Sequence, residues 1–328
     1  MRILIWHVHG SWATSFVQGP HEYLVPVNAA RDADGRGRAR TWDWPATVRE
    51  VTAEELASAA VDAVVLQRPH EEELLRTWTG LRAGVDVPAV YVEHNTPPGD
   101  AVRTRHPYAD RRDVPIVHVT PFNRAYWDCG SAPTFVVEHG IVDPGHRFTG
   151  EWPRAAVVMN EPVRRTRVLG TDLLPTIVQS VPLDVFGMGV APLADVDWAG
   201  GRVWAFEDLP QDTMHEEVAR RRVYVHTARW TSLGLSLLEA MFLGLPVVAF
   251  AGTEAPRAVG DAGFTSADPR ELRDAAARFV AEPTLAEETG AAARERARAR
   301  FGLERFLADW EAVLDEVRAG VRSRATLP

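Results

Sequence analysis

Residues 223–251 read VYVHTARWTSLGLSLLEAMFLGLPVVAFA, and this stretch predicts a strand, a loop, a helix and a second strand in succession. Its first five residues are mostly β-branched or aromatic, which is typical of a buried strand. Residues 235–243 are mainly strong helix formers, and a Gly-Leu-Pro sequence ends the helix before the apolar run 246–250. A helix between two such strands is the βαβ unit of a parallel sheet.

The loop of this unit, residues 228–234, ends in a glycine at the helix N-terminus. A helix N-terminus presents free N–H groups and partial positive charge, and it therefore suits a phosphate. Glu239 lies one turn further into the helix. From spacing alone its carboxylate has two interpretations: it accepts hydroxyl hydrogen bonds from a sugar or ribose, or it is a solvated helix residue.

The same segment resembles the donor-site signature of the retaining GT-B glycosyltransferases of family 4, roughly E-G-F-G-L-x-x-L-E-A-M-x-x-G-x-P-V-V-A. From Gly234 onward this chain reads GLSLLEAMFLGLPVVA. The resemblance implies that Glu239 binds the nucleotide ribose. It also implies donor binding by the preceding loop and the first helical residue, namely Thr231, Ser232, Leu233, Gly234 and Leu235. The family's first glutamate, eight positions before the second, falls on Thr231, so the donor-sugar contact is not carried over.

Composition and charge restrict the function further. The chain has 328 residues, 46% of them hydrophobic, which fits two domains of about 150 residues each. Its net charge of −9 disfavours nucleic acid as a partner. The sequence contains no lysine, which disfavours a P-loop NTPase and a pyridoxal phosphate enzyme and leaves any phosphate to arginine, backbone N–H groups and helix ends.

The expected location is the cytoplasm. Cys129 is the single cysteine, which excludes an internal disulfide and a cysteine-based zinc site and fits a reducing compartment. No stretch approaches an apolar membrane span. Some enzymes of the similar family act on lipid-linked acceptors, so a peripheral membrane contact remains open.

Two histidines follow predicted strands in the first half of the chain. His70 comes after the apolar run 60–66, and His94 follows the run 87–92. Ligands bind at the carboxyl ends of strands in open α/β sheets. The resemblance implies that a histidine in this region faces the donor sugar, which makes both residues candidate catalytic groups. The alternative is a structural role at a strand end.

A first strand at 2–6 is followed by a predicted loop over residues 7–20. The similar family carries a glycine-rich turn here that faces the donor phosphates, and Gly10 is the glycine best placed to do so. The alternative is an ordinary βα turn.

Two patterns resemble metal sites, but neither predicts one. His7 and His9 alternate as they would on one face of a strand, yet no third ligand follows at a suitable spacing. Asp32 and Asp34 form a D-x-D pattern inside a Gly- and Arg-rich loop, which favours a solvated turn. We therefore expect no metal and no cofactor, since the nucleoside-diphosphate sugar is a donor substrate.

Three arginines, Arg164, Arg165 and Arg167, precede a Gly-Thr-Asp-Leu-Leu run at 170–174. The similar family has an arginine and a lysine here that clamp the donor diphosphate, and Leu169 occupies the lysine position. The resemblance implies that an arginine substitutes, with Arg165 as the first candidate. The other interpretation is a solvated turn.

The HGIVD segment at 139–143 is similar to the N-G-V-D segment that marks the passage between domains in this family. We predict an N-terminal Rossmann-like acceptor domain over 1–148 and a C-terminal Rossmann-like donor domain over 149–302. A C-terminal helix over 303–328 is expected to pack back across the domain junction. The predicted fold class is α/β, GT-B, with two doubly wound Rossmann-like domains facing a cleft.

The resemblance implies a retaining, metal-independent glycosyltransferase that moves a sugar from a nucleoside-diphosphate sugar to a small-molecule, glycan or lipid-linked acceptor. One alternative is a non-catalytic GT-B-like protein that binds a nucleotide sugar or a partner, which Thr231 favours. The other is a Rossmann oxidoreductase. Its glycine pattern is broken, because Pro192 stands where the third glycine after Gly187 and Gly189 belongs.

Overall fold

The computed structural model describes residues 1–325 and divides them into two compact units. Unit 1 comprises Met1–Val142 together with the chain from Leu303 onward, and unit 2 comprises Asp143–Gly302. The division falls at residue 142, whereas the sequence placed the boundary after 148. The intervening segment joins unit 2 because the backbone N–H groups of Arg147 and Phe148 both donate to the carbonyl of Leu243.

Unit 1 is built on a seven-stranded parallel sheet with the strand order β3-β2-β1-β4-β5-β6-β7. The strands are short and mostly buried, which agrees with apolar runs in a sheet covered on both faces. In chain order they are β1 Arg2–Ile5, β2 Glu22–Pro26, β3 Val48–Val51, β4 Ala63–Leu66, β5 Ala89–Glu93, β6 Ile116–His118 and β7 Thr134–Val136.

Four helices of unit 1 connect these strands, and a fifth follows from the C-terminal part of the chain. They are α1 Gly10–Phe16, α2 Ala53–Leu56, α3 Glu71–Thr79, α4 Pro121–Tyr126 and α12 Leu303–Ala325. The last three residues of the expected C-terminal segment, 326–328, lie outside the described residues. No helix in the described part of the chain combines the length and the apolar character needed to cross a membrane.

Helix α1 corrects the prediction of a loop over residues 7–20. Glycine, serine and threonine are weak helix formers, so local propensity argued against it. Tertiary packing decides instead. The rings of Trp12 and Phe16 stack at 4.9 Å, and both pack edge-on against Trp310 of α12. These contacts with a residue almost 300 positions away bury one face of α1.

Unit 2 repeats the architecture with six parallel strands in the order β10-β9-β8-β11-β12-β13. The strands are β8 Trp152–Val158, β9 Leu183–Gly187, β10 Val203–Glu207, β11 Arg221–His226, β12 Val247–Phe250 and β13 Phe264–Ser266. Its helices are α5 Thr166–Leu169, α6 Leu174–Ile177, α7 Gln211–Ala219, α8 Leu235–Leu243, α9 Ala255–Val259, α10 Pro269–Ala281 and α11 Pro283–Phe301.

Both sheets reverse their strand order once, and each reversal creates a crevice. In unit 1 the reversal lies between β1 and β4, and in unit 2 it lies between β8 and β11. At such a switch point the two connections leave toward opposite faces, which opens a crevice at the carboxyl ends of the strands where ligands bind. The prediction of two Rossmann-like, doubly wound α/β units is confirmed.

Candidate functional site

The switch point of unit 2 is flanked by the loops that follow β8 and β11. The first loop leads into α5 and the second into α8. Backbone N–H groups of Arg229 and Trp230 donate to the carbonyl of Val168, at 2.9 and 3.2 Å. The Thr227 hydroxyl donates to the carbonyl of Leu169 at 2.7 Å. The segment after β11 is therefore hydrogen-bonded to α5, and every candidate residue that the sequence placed in this unit lies on these two loops or on α5 and α8.

Close packing at this junction requires a glycine. Gly170 has φ +71°, and a Cβ there would lie 2.0 Å from the carbonyl oxygen of Thr227. A larger residue would push α5 away from the end of β11. The Gly-Thr-Asp-Leu-Leu run predicted as a family feature thus has a physical reason in this chain.

Helix α8 begins at Leu235 with Gly234 as its N-cap, and no side chain caps it. A Cβ on Gly234 would lie 2.4 Å from Cε1 of His226, so glycine lets the loop pass over the end of β11. Burial lowers the pKa of His226 to about 4, and the ring is neutral at pH 7. The N–H groups at the uncapped end of the helix therefore remain available to donate hydrogen bonds to an anion.

The loop before α8 is partly buried. Ser232 and Leu233 are buried, and the Ser232 carbonyl accepts a hydrogen bond from the N–H of Glu254 at 3.3 Å. Thr231 and Gly234 are half-buried. Solvent thus reaches two of the four predicted donor-binding loop residues, and the other two hold the loop in place.

The three candidate arginines differ in their partners. Arg164 pairs with Glu161, and Arg167 pairs with Asp172 at 3.3 Å; both arginines are exposed. Arg165 is half-buried and makes no side-chain hydrogen bond or ion pair within residues 1–325. Burial lowers its pKa and neighbouring Arg164 lowers it further, but a guanidinium remains protonated in proteins. The nearby Glu161 carboxylate acts on Arg165 in the opposite direction, raising its pKa, but no carboxylate in the described residues forms an ion pair with it.

Glu239 is 7% exposed, which excludes the interpretation as a solvated helix residue. Two side chains of α7 approach its carboxylate. Nε2 of Gln211 donates to Oε1 at 3.2 Å, and Nε2 of His215 lies 3.6 Å from Oε2. Sequence reasoning missed both partners. Their spacing of four residues was the available signal, since it puts the two side chains on one face of a helix.

The glycine turn after β9 is closed by a residue that the sequence did not single out. The carboxylate of Glu207 accepts from the backbone N–H groups of Gly189, Val190 and Ala191, at 2.5, 2.9 and 3.0 Å. These contacts lower the pKa of Glu207. The turn also follows the second strand of unit 2, whereas a dinucleotide fingerprint follows the first. Both facts argue against the oxidoreductase alternative.

In unit 1 the segment 28–44, which we call the strap, covers the switch point between β1 and β4. The carbonyl of Gly37 lies 2.9 Å from Nδ1 of His7, and Asp34 contacts Arg68 at 3.0 Å. The indole N–H of Trp44 donates to the Thr14 hydroxyl at 2.8 Å. The strap is thus fixed to the loops after β1 and β4 and to α1.

The strap also accounts for two candidate residues. Gly10 is the first residue of α1, and a Cβ there would lie 2.6 Å from the ring of Trp42. The prediction of a loop glycine at this position is therefore wrong, because Gly10 is the first residue of a helix and packs against the indole ring of Trp42. His70 is exposed, and its Nε2 lies 2.8 Å from Oδ1 of Asp34. The D-x-D aspartate holds a histidine and an arginine.

His94 lies after β5 in a cluster of neutral histidines. Its ring is 4.0 Å from His9 and 4.9 Å from Trp12. Nε2 of His94 and Nδ1 of His139 are buried and have no hydrogen-bond partner in the described residues. Burial is the main cause that lowers the pKa of all three histidines, to about 4 for His9 and about 3 for His139. The described residues contain no group of three or more His, Cys, Asp or Glu arranged to hold a metal ion.

Comparisons with known proteins agree with this architecture. Residues 158–282 match the family model described as Glycosyl transferases group 1. A search of curated protein sequences finds no match. Sucrose-phosphate synthase from Thermosynechococcus elongatus is 13% identical, with a TM-score of 0.73 over 97% of this chain and 99% of that chain.

Two further solved structures cover both units. Anabaena Alr3699/HepE in complex with UDP-glucose is 15% identical, with a TM-score of 0.68 over 96% of this chain and 100% of that chain. A glycosyltransferase from Rickettsia africae is 13% identical, with a TM-score of 0.67 over 96% and 98%. Identities this low show the fold alone. The chain has the GT-B fold, and the match to the family model lies within unit 2.

Proposed function

We propose that this protein is a retaining glycosyltransferase that moves a sugar from a nucleoside-diphosphate sugar to a small-molecule, glycan or lipid-linked acceptor. One observation carries the proposal. Arg165, a half-buried cation without an ion-pair partner in the described residues, is the N-cap of α5, and α5 is hydrogen-bonded to the loop that leads into the uncapped α8. A guanidinium and free helix N–H groups are both favourable partners for a diphosphate.

In this proposal the leaving diphosphate is stabilised electrostatically. Negative charge develops on the phosphate oxygens as the glycosidic bond breaks, and preorganised donors lower the energy of that state. Arg165 supplies the charge, with Arg164 and Arg167 as exposed neighbours. Glu239 accepts hydrogen bonds from the ribose. No divalent ion is required, because a guanidinium neutralises the diphosphate directly.

We assign the acceptor to unit 1 and give His94 the contact with a substrate hydroxyl. Its Nε2 atom is buried and unpartnered, and burial keeps the ring neutral. A neutral imidazole can donate one hydrogen bond and accept another, as a hydroxyl partner requires. His70 is the weaker candidate, because Asp34 already engages its Nε2 atom.

Retention of configuration rests on the resemblance of the segment from Gly234 to the family 4 signature. Members of that family carry no clear enzyme nucleophile, and front-face substitution assisted by the leaving phosphate is the inference that the resemblance implies. The transferase activity therefore depends on the geometry of unit 2, whereas the stereochemical outcome depends on this sequence similarity.

The experiment has two stages. Calorimetric titration with UDP, GDP and ADP tests donor binding, and a nucleotide at a hundred times its dissociation constant should also stabilise the fold by about 2.7 kcal/mol. The protein is then incubated with candidate acceptors and with nucleoside-diphosphate sugars of the nucleotide that binds, which tests transfer. NMR of the anomeric proton reports the configuration of the product. The absence of binding by all three nucleotides would reject the proposal, and an inverted product would reject retention.

A non-catalytic nucleotide-sugar-binding protein is the second candidate, and Thr231 favours it. The family's glutamate at this position is a charged acceptor, whereas threonine is shorter and neutral. Thr231→Glu separates the two candidates on a panel of donor sugars. In an enzyme adapted to another sugar, the substitution changes which donor is preferred. A uniform rise in activity with all donors would indicate a decayed catalytic position and favour the binding protein.

A further inference from the structure

The environment of Glu239 contains two polar side chains that the proposed chemistry does not use. Gln211 and His215 lie four residues apart on α7 and face the carboxylate on α8. His215 is 7% exposed, and its Nε2 atom is buried without a hydrogen-bond partner in the described residues. Burying an imidazole beside a carboxylate is costly unless the polar atoms gain partners, so a packing role alone does not explain this histidine.

The two helices are held in a fixed relation around these groups. Arg147 pairs with Asp212 on the first turn of α7 at 2.6 Å, and its backbone N–H donates to Leu243 at the end of α8. The hydroxyl of Tyr224 donates to Ser236 on the first turn of α8 at 2.9 Å. Side chains on rigid elements can hold a carboxylate in one orientation more precisely than side chains on loops.

We infer that Gln211 and His215 are positioning residues that orient the Glu239 carboxylate toward the ribose hydroxyls and thereby make the site selective for ribonucleotides. The inference rests on the proposed function, in which Glu239 is the ribose acceptor. Gln211 donates to Oε1 at 3.2 Å, and Nε2 of His215 stands 3.6 Å from Oε2, just beyond hydrogen-bond distance. A carboxylate has about four acceptor positions, so these two contacts leave room for two hydroxyl donors.

The test compares hydroxylated and dehydroxylated forms of one nucleotide. UDP, GDP and ADP are titrated calorimetrically against the full chain, and the tightest binder is then compared with its 2′,3′-dideoxy form. Wild-type protein should prefer the ribonucleotide by about 10- to 100-fold, the scale of hydrogen bonds to a charged acceptor. His215→Leu should lose most of that preference and bind the dideoxy nucleotide as wild type does. His215→Gln keeps an N–H donor near the Nε2 position and should retain the preference.

Two further variants complete the design. Gln211→Leu should lower the preference in the same direction as His215→Leu, because it frees the other carboxylate oxygen. Gln179→Leu is the matched control, since Gln179 is exposed near the end of α6 and its side chain contacts none of these groups. Circular dichroism and thermal unfolding identify a variant that fails to fold. His215→Gln and Gln211→Leu then carry the test.

The outcomes separate the inference from the proposed function. If no nucleotide diphosphate binds the wild type, the proposed function itself fails. If wild type binds but does not distinguish the dideoxy form, donor binding stands and the ribose inference is overturned. If His215→Leu loses affinity equally for the ribonucleotide and for its dideoxy form, His215 has only a structural role. If His215→Leu and Gln211→Leu both keep the wild-type preference for the ribonucleotide, α7 takes no part in recognising the ribose.

Discussion

The two sheets have the same switch-point topology, but the groups at their carboxyl edges are used differently. In unit 1, Asp34 engages His70 and Arg68, and the Gly37 carbonyl lies against His7. In unit 2, Arg165 makes no side-chain hydrogen bond or ion pair within the described chain, and α8 starts without a side-chain cap. Equivalent topology therefore yields one edge whose charged groups pair with one another and one edge where Arg165 has no ion-pair partner in the described residues.

The difference arises from the connections rather than from the strands. In unit 1 the strap lies between β2 and β3 and folds over the switch point. In unit 2 the loop after β8 leads directly into α5, and Gly170 allows α5 to lie against the end of β11. Strand order fixes where a crevice lies, whereas loop contacts decide whether its polar groups remain available to an anion.

Removing the unpaired cation should have the largest effect. Arg165→Ala should lower kcat/KM for the donor by about 100-fold, the scale of losing one preorganised donor to a leaving group. Arg164→Ala is the matched control. It removes a neighbouring arginine that already pairs with Glu161, and it should change kcat/KM by less than about threefold because exposed pairs contribute little. Steady-state kinetics on one donor decides. Equal losses in the two variants would mean that the cluster acts as a diffuse positive patch.

The second-largest effect is expected at Glu239, the proposed ribose acceptor. Glu239→Ala should weaken binding of the preferred nucleoside diphosphate by about 1.5–3 kcal/mol, because hydrogen bonds to a charged acceptor are lost. Titration calorimetry measures this directly. Glu161→Ala is a suitable comparison, since that carboxylate lies on the same edge of unit 2 and pairs with Arg164. A dissociation constant that Glu239→Ala leaves unchanged would exclude Glu239 from the site.

The histidine cluster of unit 1 should respond to acid. The folded pKa of His139 is about 3, because burial disfavours its charged form, whereas its unfolded value is 6.5. The unfolded chain therefore binds more protons below pH 6.5. The contribution of His139 is complete above that pH and is lost as the pH falls toward 3. Between pH 7 and pH 5 this one group should lower the free energy of unfolding by about 2 kcal/mol.

The variant His139→Asn tests that assignment, because asparagine does not titrate. Urea unfolding at pH 7 and pH 5 should show a smaller difference in the variant than in wild type, by about 2 kcal/mol. His146→Asn in unit 2 is the control and should keep the wild-type difference. If His139→Asn has the wild-type pH dependence, the acid sensitivity comes from other groups.

The parts of the site that the sequence predicted are those encoded locally. The helix at 235–243, its glycine N-cap and Glu239 lie within one continuous motif, so neighbouring residues carried enough information. Sequence similarity ranked Arg165 first among the three arginines, but a physical difference from Arg164 and Arg167 emerged only with their acidic partners. These acidic partners lie only three and five residues away along the chain, but the composition of the cluster does not show which arginine each of them pairs with.

What the sequence missed depends on long-range packing. Helix α1 forms from weak helix formers because Trp12 and Phe16 pack on Trp310. The strap and the contact of His215 with Glu239 likewise join segments that are far apart in sequence. Residue type and spacing describe local preference, whereas these contacts are set by how the elements are arranged in three dimensions.

Chelation should have the smallest effect. We expect kcat to stay within about twofold of its initial value in excess EDTA, because in the proposed site Arg165 and the α8 N-terminus neutralise the diphosphate without a metal. The aspartates that suggested a metal motif are otherwise engaged: Asp34 contacts Arg68 and His70, and Asp32 accepts from Asn28 at 2.8 Å. The Arg165→Ala variant sharpens the measurement. If a divalent ion shares the charge, added magnesium or manganese should restore part of the activity lost in that variant. If EDTA abolishes turnover and either metal ion restores it, the Arg165 guanidinium alone does not neutralise the leaving group.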